Sequence, residues 1–229
     1  MMFIQRSSFL RLFAVVTFSL FLLCLPGCTI LGAVASKASP APKVPAEYVP
    51  PQETMVVVAE GYQNPGIVGF LGDHIERLIS EELITHKVAP VINPNLLNDL
   101  RGSKSVDEYR EIKIAAIGKA LKAKQVLYVN VTQFSLESAG GTQMAKGMTE
   151  ARVRIVDSAT GETRWPRDST GGHVLQLNTP YVELTGDVTE SALRERMARA
   201  LADKVAKLFY NVTTDQVDGT EPEMGNLAQ

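Results

Sequence analysis

The chain has 229 residues, 23 Lys plus Arg against 25 Asp plus Glu, and a formal charge of −2. With no basic excess and no Lys/Arg block longer than the scatter of Lys119, Lys122 and Lys124, no nucleic-acid partner is expected, since such binding rests on neutralised phosphates. Apolar residues make up 45% of the chain, and the roughly 160 residues from Met55 to Asn211 suffice for one domain that buries most of its apolar surface.

A secretory leader comes first. Arg6 and Arg11 give it a positive flank, residues 12–25 an apolar stretch, and Leu25-Pro26-Gly27-Cys28 the small residue and cysteine of a lipobox. Residues 1–27 are predicted to be removed by cleavage between Gly27 and Cys28. Two other readings stand beside this one, a signal cleaved without lipid and an uncleaved anchor; crossing a bilayer needs about 20 apolar residues, and the run from Phe9 falls short and ends in Pro-Gly. Cleavage leaves 21 basic against 25 acidic residues, because the leader holds two arginines and no carboxylate. It also removes Cys24, and with Cys28 acylated no thiol remains for a disulfide, a metal or catalysis. In bacterial lipoproteins, which the leader resembles, that cysteine carries a diacylglycerol on sulfur and a third acyl chain on its amine. Two chains or more hold a protein on a membrane stably, whereas one does so only marginally. Thr29 stands where the sorting rule of such lipoproteins places Asp for inner-membrane retention, so the resemblance implies the periplasmic face of the outer membrane.

Residues 28–53 are predicted to form a lipid-anchored tether. Pro40, Pro42, Pro45, Pro50 and Pro51 keep such a segment extended, either to reach a partner or as a plain spacer. The domain is expected over residues 54–212. Met55-Val56-Val57-Val58-Ala59 reads as a buried strand; Phe70, Leu71, Ile75, Leu78, Ile79 and Leu83 mark a first helix over residues 69–86; residues 88–93 form a second strand, which Pro90 and Pro94 place at a sheet edge. Ser105 caps a second helix, with Glu108 three residues on and a stripe of Tyr109, Ile112, Ala116, Ile117 and Leu121. Residues 125–137 alternate as a half-buried antiparallel strand, with Leu127, Val129, Val131 and Phe134 on one side and Tyr128, Asn130 and Thr132 on the other. After Gly140-Gly141, residues 150–157 and Thr163-Arg164-Trp165 make a hairpin about the turn 157–162, and residues 173–177 a last strand. Leu193, Met197, Leu201, Val205 and Leu208 define a final helix from Thr189 to Asn211, and residues 213–229 are expected to be a disordered tail. The resulting fold class is α+β: a mixed four- to five-stranded sheet packed against two or three helices, in the order β-α-β-α-β-β-β-α.

Catalytic chemistry finds little purchase in this pattern. Gly66, Gly69 and Gly72 lie between a strand and a helix, yet their spacing is not the Gly-x-Gly-x-x-Gly of a dinucleotide turn. His74, His86 and His173 lack the spacing of metal ligands and are expected at solvent or capping positions. Asp73 and Glu76 are placed on the polar face of the first helix, where charges are the default, and no Gly-x-Ser-x-Gly elbow occurs. Asn130-Val-Thr132 and Asn211-Val-Thr213 are chance sequons, and Trp165 is expected in the core. No catalytic residue, metal or cofactor is predicted.

The succession of elements, with Ala123-Lys124-Gln125-Val126-Leu127-Tyr128-Val129 leading into a strand and residues 154–165 forming a hairpin, resembles a superfamily of envelope lipoproteins. It includes the curli-secretion lipoprotein, the lipoprotein activators of penicillin-binding proteins and the amino-terminal domain of the Tol-system propeller protein. The resemblance implies a mixed sheet flanked by helices that binds an envelope protein partner or self-assembles, without catalysis. Tyr128, Gly140 and Gly141 are the candidate partner contacts, together with an exposed sheet edge. Homo-oligomers would mark the alternative, a ring-forming subunit of an export complex, and a pocket joining a histidine to carboxylates or a hydroxyl would mark a periplasmic hydrolase. The stretch 136–148 is expected to be too short and Gly-rich for the membrane-spanning hairpin of a curli-type pore.

Overall fold

In the computed structural model, which describes residues 43–61, 70–169 and 171–213, the elements run β1 (Lys43–Val44), β2 (Met55–Glu60), α1 (Phe70–Thr85), α2 (Pro94–Gly102), α3 (Val106–Arg110), α4 (Ile114–Ala120), β3 (Gln125–Ser138), β4 (Met144–Asp157), β5 (Thr163–Trp165), β6 (His173–Asn178), β7 (Val182–Glu183), α5 (Glu190–Lys207) and β8 (Val212–Thr213). The α+β class and the mixed sheet are as predicted. β2 pairs in parallel with β3, β3 pairs antiparallel with β4, and β5, β6 and β7 share the far edge of β4. β1 and β8 form a separate two-stranded ribbon.

An unbroken run of β-branched residues suits a strand covered on both faces, and β2 is buried along its length up to a half-buried Glu60. Met55, Val57 and Ala59 join Leu127, Val129 and Val131 beneath α1 and α5. Val56 and Val58 join Val126 and Tyr128 beneath Leu97, Ile117, Tyr109 and Ile112 of the α2–α4 segment. The sheet is thus the middle of three layers over this half only. Beyond Asn130 the outer face of β4 carries Lys146, Met148, Glu150 and Arg152, alternating with the buried Ala145, Gly147, Thr149 and Ala151.

Phe134 reaches the inner face, although its even number sets it against Leu127, Val129 and Val131. A bulge accounts for this: the register with β4 slips at Thr132, between Val131 and Gln133, and the extra residue reverses the alternation. Thr132 Oγ1 donates to the Glu150 backbone oxygen and carboxylate at 3.3 and 3.0 Å.

Several predicted elements change, among them β4, which begins at Met144 rather than at residue 150. The expected strand over residues 88–93 makes a single bridge, Val91 to Met55, because Pro90 has no N–H to give a ladder and Pro94 already begins α2. That helix was not predicted, although Asn93, whose side chain accepts from the Asn95 N–H at 3.0 Å, followed by proline at the first helical position is a start signal. The single helix expected from Ser105 is two. Its capping box forms as predicted, but Lys113 is extended (φ −65°, ψ 140°), and the break lets Tyr109 and Ile112 as well as Ile114 and Ile117 reach one cluster. The final helix is capped by Thr189, whose hydroxyl accepts from the Ala192 N–H at 3.1 Å, and it ends at Lys207 rather than Asn211 so that Phe209 can turn onto Trp165.

The predicted tether is docked from Lys43 onward. Lys43 and Val44 pair with Thr213 and Val212, Ala46 N–H donates to Asn211 Oδ1 at 3.1 Å, Tyr48 N–H donates to the Leu208 carbonyl at 3.1 Å, and the Tyr48 ring stacks 6.2 Å from Trp165. Ring burial and paired backbone together offset the ordering entropy of this segment. Residues 28–42 and 214–229 lie outside the described residues.

Candidate functional site

Two regions bear on function, and the sequence pointed to parts of each. The first lies at the carboxyl end of β2, where ionisable side chains from six elements meet. Glu76, on α1, has no exposed surface. It accepts from the Ala59 N–H at 2.7 Å and from Arg101 of α2 at 2.5 and 2.8 Å. Arg101 reaches Asp73 as well, at 2.9 Å, and lies 5.4 Å over the Tyr109 ring. On the adjoining strands Arg154 lies 5.0 Å over the ring of Tyr128, beside Glu60.

Burial pushes the Glu76 carboxyl up to about 7, against the pull of the Arg101 guanidinium and the Ala59 amide. Burial works to lower Arg101, and the Glu76 carboxylate more than offsets it, so its pKa rises. Tyr109 and Tyr128 are both raised, chiefly by burial. A carboxyl titrating near neutrality is what acid–base catalysis uses, but here both oxygens are engaged by Arg101 and none of the group's own surface is exposed. Ser80, four residues on, gives its hydroxyl to the Glu76 backbone carbonyl at 2.7 Å. The arrangement therefore fastens α1 and α2 to the end of β2.

This overturns the placement of Glu76 on a solvated face. α1 is buried over a wide arc that takes in Ile75, Glu76, Leu78, Ile79, Ser80 and Leu83. A small Ser80 four residues after Glu76 was the sequence signal for an inward row. Tyr128, proposed as a partner contact, is 6% exposed and lies under the α2–α4 layer, because the start of β3 is covered on both faces. The histidines are not at free solvent positions either: His74 Nε2 lies 2.5 Å from Glu195 of α5, His86 stacks 3.9 Å from Tyr210, and His173 stacks 5.2 Å from Trp165. Trp165 is in the core as predicted. Among the described residues no group of three or more His, Cys, Asp or Glu is arranged to hold a metal, and no helix is long and apolar enough to cross a membrane.

The second region is the hairpin of β3 and β4. Each strand has 14 residues, roughly 45 Å of extended chain, of which the stretch 136–148 supplies the last three residues of β3, the turn and the first five of β4. What distinguishes it from a lipid-facing pair is its faces, one packed on α5 and the other bearing Lys146, Glu150 and Arg152. Gly140 and Gly141 form its turn, exposed, with Gly141 at φ +77° in the region that favours glycine. A Cβ at either position would meet nothing, so the turn carries no packing requirement. β6 supplies the exposed edge. Thr179 N–H donates inward to the Gly147 carbonyl at 2.9 Å, whereas the Gln176 carbonyl faces away from β4 and accepts from Lys204 Nζ at 2.9 Å. Val174 on this edge is 44% exposed.

No family model matches the chain, and no curated protein matches it either. Among solved structures it is similar to a point variant of the PelC dodecamer from Paraburkholderia phytofirmans, at 12% identity and a TM-score of 0.44 over 75% of this chain and 99% of that one. It is also similar to lipoprotein GNA1162 from Neisseria meningitidis, at 16% identity and 0.39 over 67% and 98%, and to a minor lipoprotein from Acinetobacter baumannii, at 10% identity and 0.37 over 68% and 90%. Identities and scores of this size assign no function. Cys28 and Gly27, the predicted lipid-attachment and cleavage residues, lie outside the described residues, as do Gly66 and Gly69.

Proposed function

We propose that this chain is a non-enzymatic lipoprotein, held by acyl chains on Cys28 at the periplasmic face of the outer membrane, whose domain docks an envelope protein partner through its hairpin turn and β6 edge. The observation that carries the reading is the polarity of the domain. The chain enters at Lys43–Tyr48, beside Trp165 and Leu208, and the register of β3 with β4 carries the Gly140–Gly141 turn away from that end. β6 adds an edge with outward backbone groups, able to accept a strand from a partner.

The leader supports the anchor, and the superfamily resemblance supports a binding rather than a catalytic role; cell-wall synthesis and envelope assembly are the processes it implies. In cells given labelled palmitate, the wild-type chain takes up label and fractionates with the outer membrane, while Cys28→Ser does neither. Crosslinking of the lipidated protein followed by mass spectrometry then captures a second envelope protein. Label-free wild-type protein, or unchanged fractionation of Cys28→Ser, overturns the anchor. Capture of this chain alone replaces the docking reading with the ring-forming one.

A further inference from the structure

The end of the domain by which the chain enters carries five exposed lysines, Lys43, Lys87, Lys119, Lys122 and Lys124. Hydrogen bonds gather the segments of Lys87 and of Lys119–Lys124 about residues 52–54, while Lys43 is held in the β1–β8 ribbon. Lys124 N–H donates to the Thr54 carbonyl at 2.9 Å, Thr54 Oγ1 donates to the Lys122 carbonyl at 3.4 Å, and Gln52 Nε2 donates to the carbonyl of Val88, next to Lys87, at 2.8 Å. None of the five belongs to the ion pairs of the described residues. Of the carboxylates at this end, Glu53 and Asp157 are held by Arg164 and Glu82 by His86; Glu47, Glu162 and Asp168 share the end with the lysines.

Backbone conformation is a second and independent observation. Among the described residues, those other than glycine with positive φ are Lys87 (φ 53°) and Lys122 (φ 57°). Both stand just past a helix, in the same motif. Lys87 N–H donates to Ile84 and Val88 N–H to Leu83; Lys122 N–H donates to Lys119 and Ala123 N–H to Gly118. This is the Schellman ending, in which glycine, or failing that asparagine, takes the left-handed residue without strain. A cation at a helix carboxyl end meets the dipole favourably. That accounts for a charge in the last turn, as at Lys119, but not for lysine twice at the one position where its backbone is disfavoured. Strain kept at matching positions on one surface points to a use for the side chains.

We infer that this end is a docking surface for an anionic phospholipid bilayer, its lysines seated on phosphate headgroups so that the domain stands upright with the hairpin turn outward. The inference rests on the anchor of the proposed function for its orientation, but the lipid contact itself requires no acyl chain. Clusters of four to eight basic residues next to a membrane attachment bind anionic surfaces, with a gain of about fivefold in partition per lysine.

The test uses the chain from Thr29 to Gln229, which holds every described residue and no acyl chain, floated with vesicles of phosphatidylethanolamine and phosphatidylglycerol and with vesicles of phosphatidylcholine alone. It floats with the first at low salt, is released near 1 M salt, where screening is complete within about 3 Å, and does not float with the second. Lys87→Asn together with Lys122→Asn lowers the partition by about 25-fold while Tm is unchanged or raised, since asparagine accepts the left-handed backbone. Equal flotation with both vesicles, no flotation, flotation of the double variant at the wild-type level, or preferential capture of duplex DNA from a mixture overturns the inference. Palmitate labelling of the full chain reports on the anchor separately, so the two readings fail independently.

Discussion

Glu76 shows how far one residue can depart from its surroundings in sequence. A carboxyl whose pKa in the folded chain lies above its ordinary 4.5, here at about 7, takes up a proton on folding. Its contribution to stability is therefore full below about pH 4.5 and is lost as pH rises through 7, up to about 3 kcal/mol in total. Urea titrations of wild type and Glu76→Gln across that window should diverge, with the wild type losing ground to the variant as pH rises; parallel curves would contradict the burial of an ionisable group there. Glu76→Ala, which leaves Arg101 without its principal partner, is expected to cost about 3–5 kcal/mol at neutral pH. Helical periodicity could not reveal this pair, because Arg101 lies 25 residues further on, on α2, whose start depends on Asn93–Pro94. Gly118 makes the opposite point. A Cβ there would overlap Ser158 Oγ and Val126 Cγ2, so Gly118→Ala should lower stability by about 1–3 kcal/mol where helix propensity alone predicts a gain.

Elements with a strong period were legible from sequence, and those set by tertiary contacts were not. α5 reads directly from Leu193, Met197, Leu201 and Val205, all four buried, and its cap from Thr189. Thr189→Ala is expected to cost about 1 kcal/mol and Leu201→Ala about 2–5 kcal/mol, both measurable by urea unfolding. β3 was legible in extent, and Phe134 lies on the expected face with Leu127, Val129 and Val131, but the bulge that carries it there was not legible, because a bulge is a property of two strands and Thr132 looks like any other strand residue until Glu150 is opposite it. The same holds for β1 and β8. Two residues each, with an exposed Val44, carry no periodic signal, and their pairing follows from the aromatic contact of Tyr48 with Trp165 and the turn of Phe209 beneath it.

At the scale of the whole domain, the entry of the chain and the Gly140–Gly141 turn lie at opposite ends of the long hairpin, while the β6 edge runs between them from His173, stacked on Trp165, to Asn178 opposite Met148. The candidate contacts divided accordingly: Gly140 and Gly141 stand at the free turn, whereas Tyr128 is built into the wall behind it. The turn is unconstrained by packing and can accept an unnatural side chain, so the orientation can be probed in the cell. A photoreactive residue placed at Gly140, at Val174 on the β6 edge, or at Lys122 beside the chain's entry would be activated in intact cells and the adducts resolved by mass. The account predicts one discrete protein adduct from Gly140 or Val174 and none of that mass from Lys122; the same adduct from Lys122 alone, with the turn and the edge silent, would contradict it.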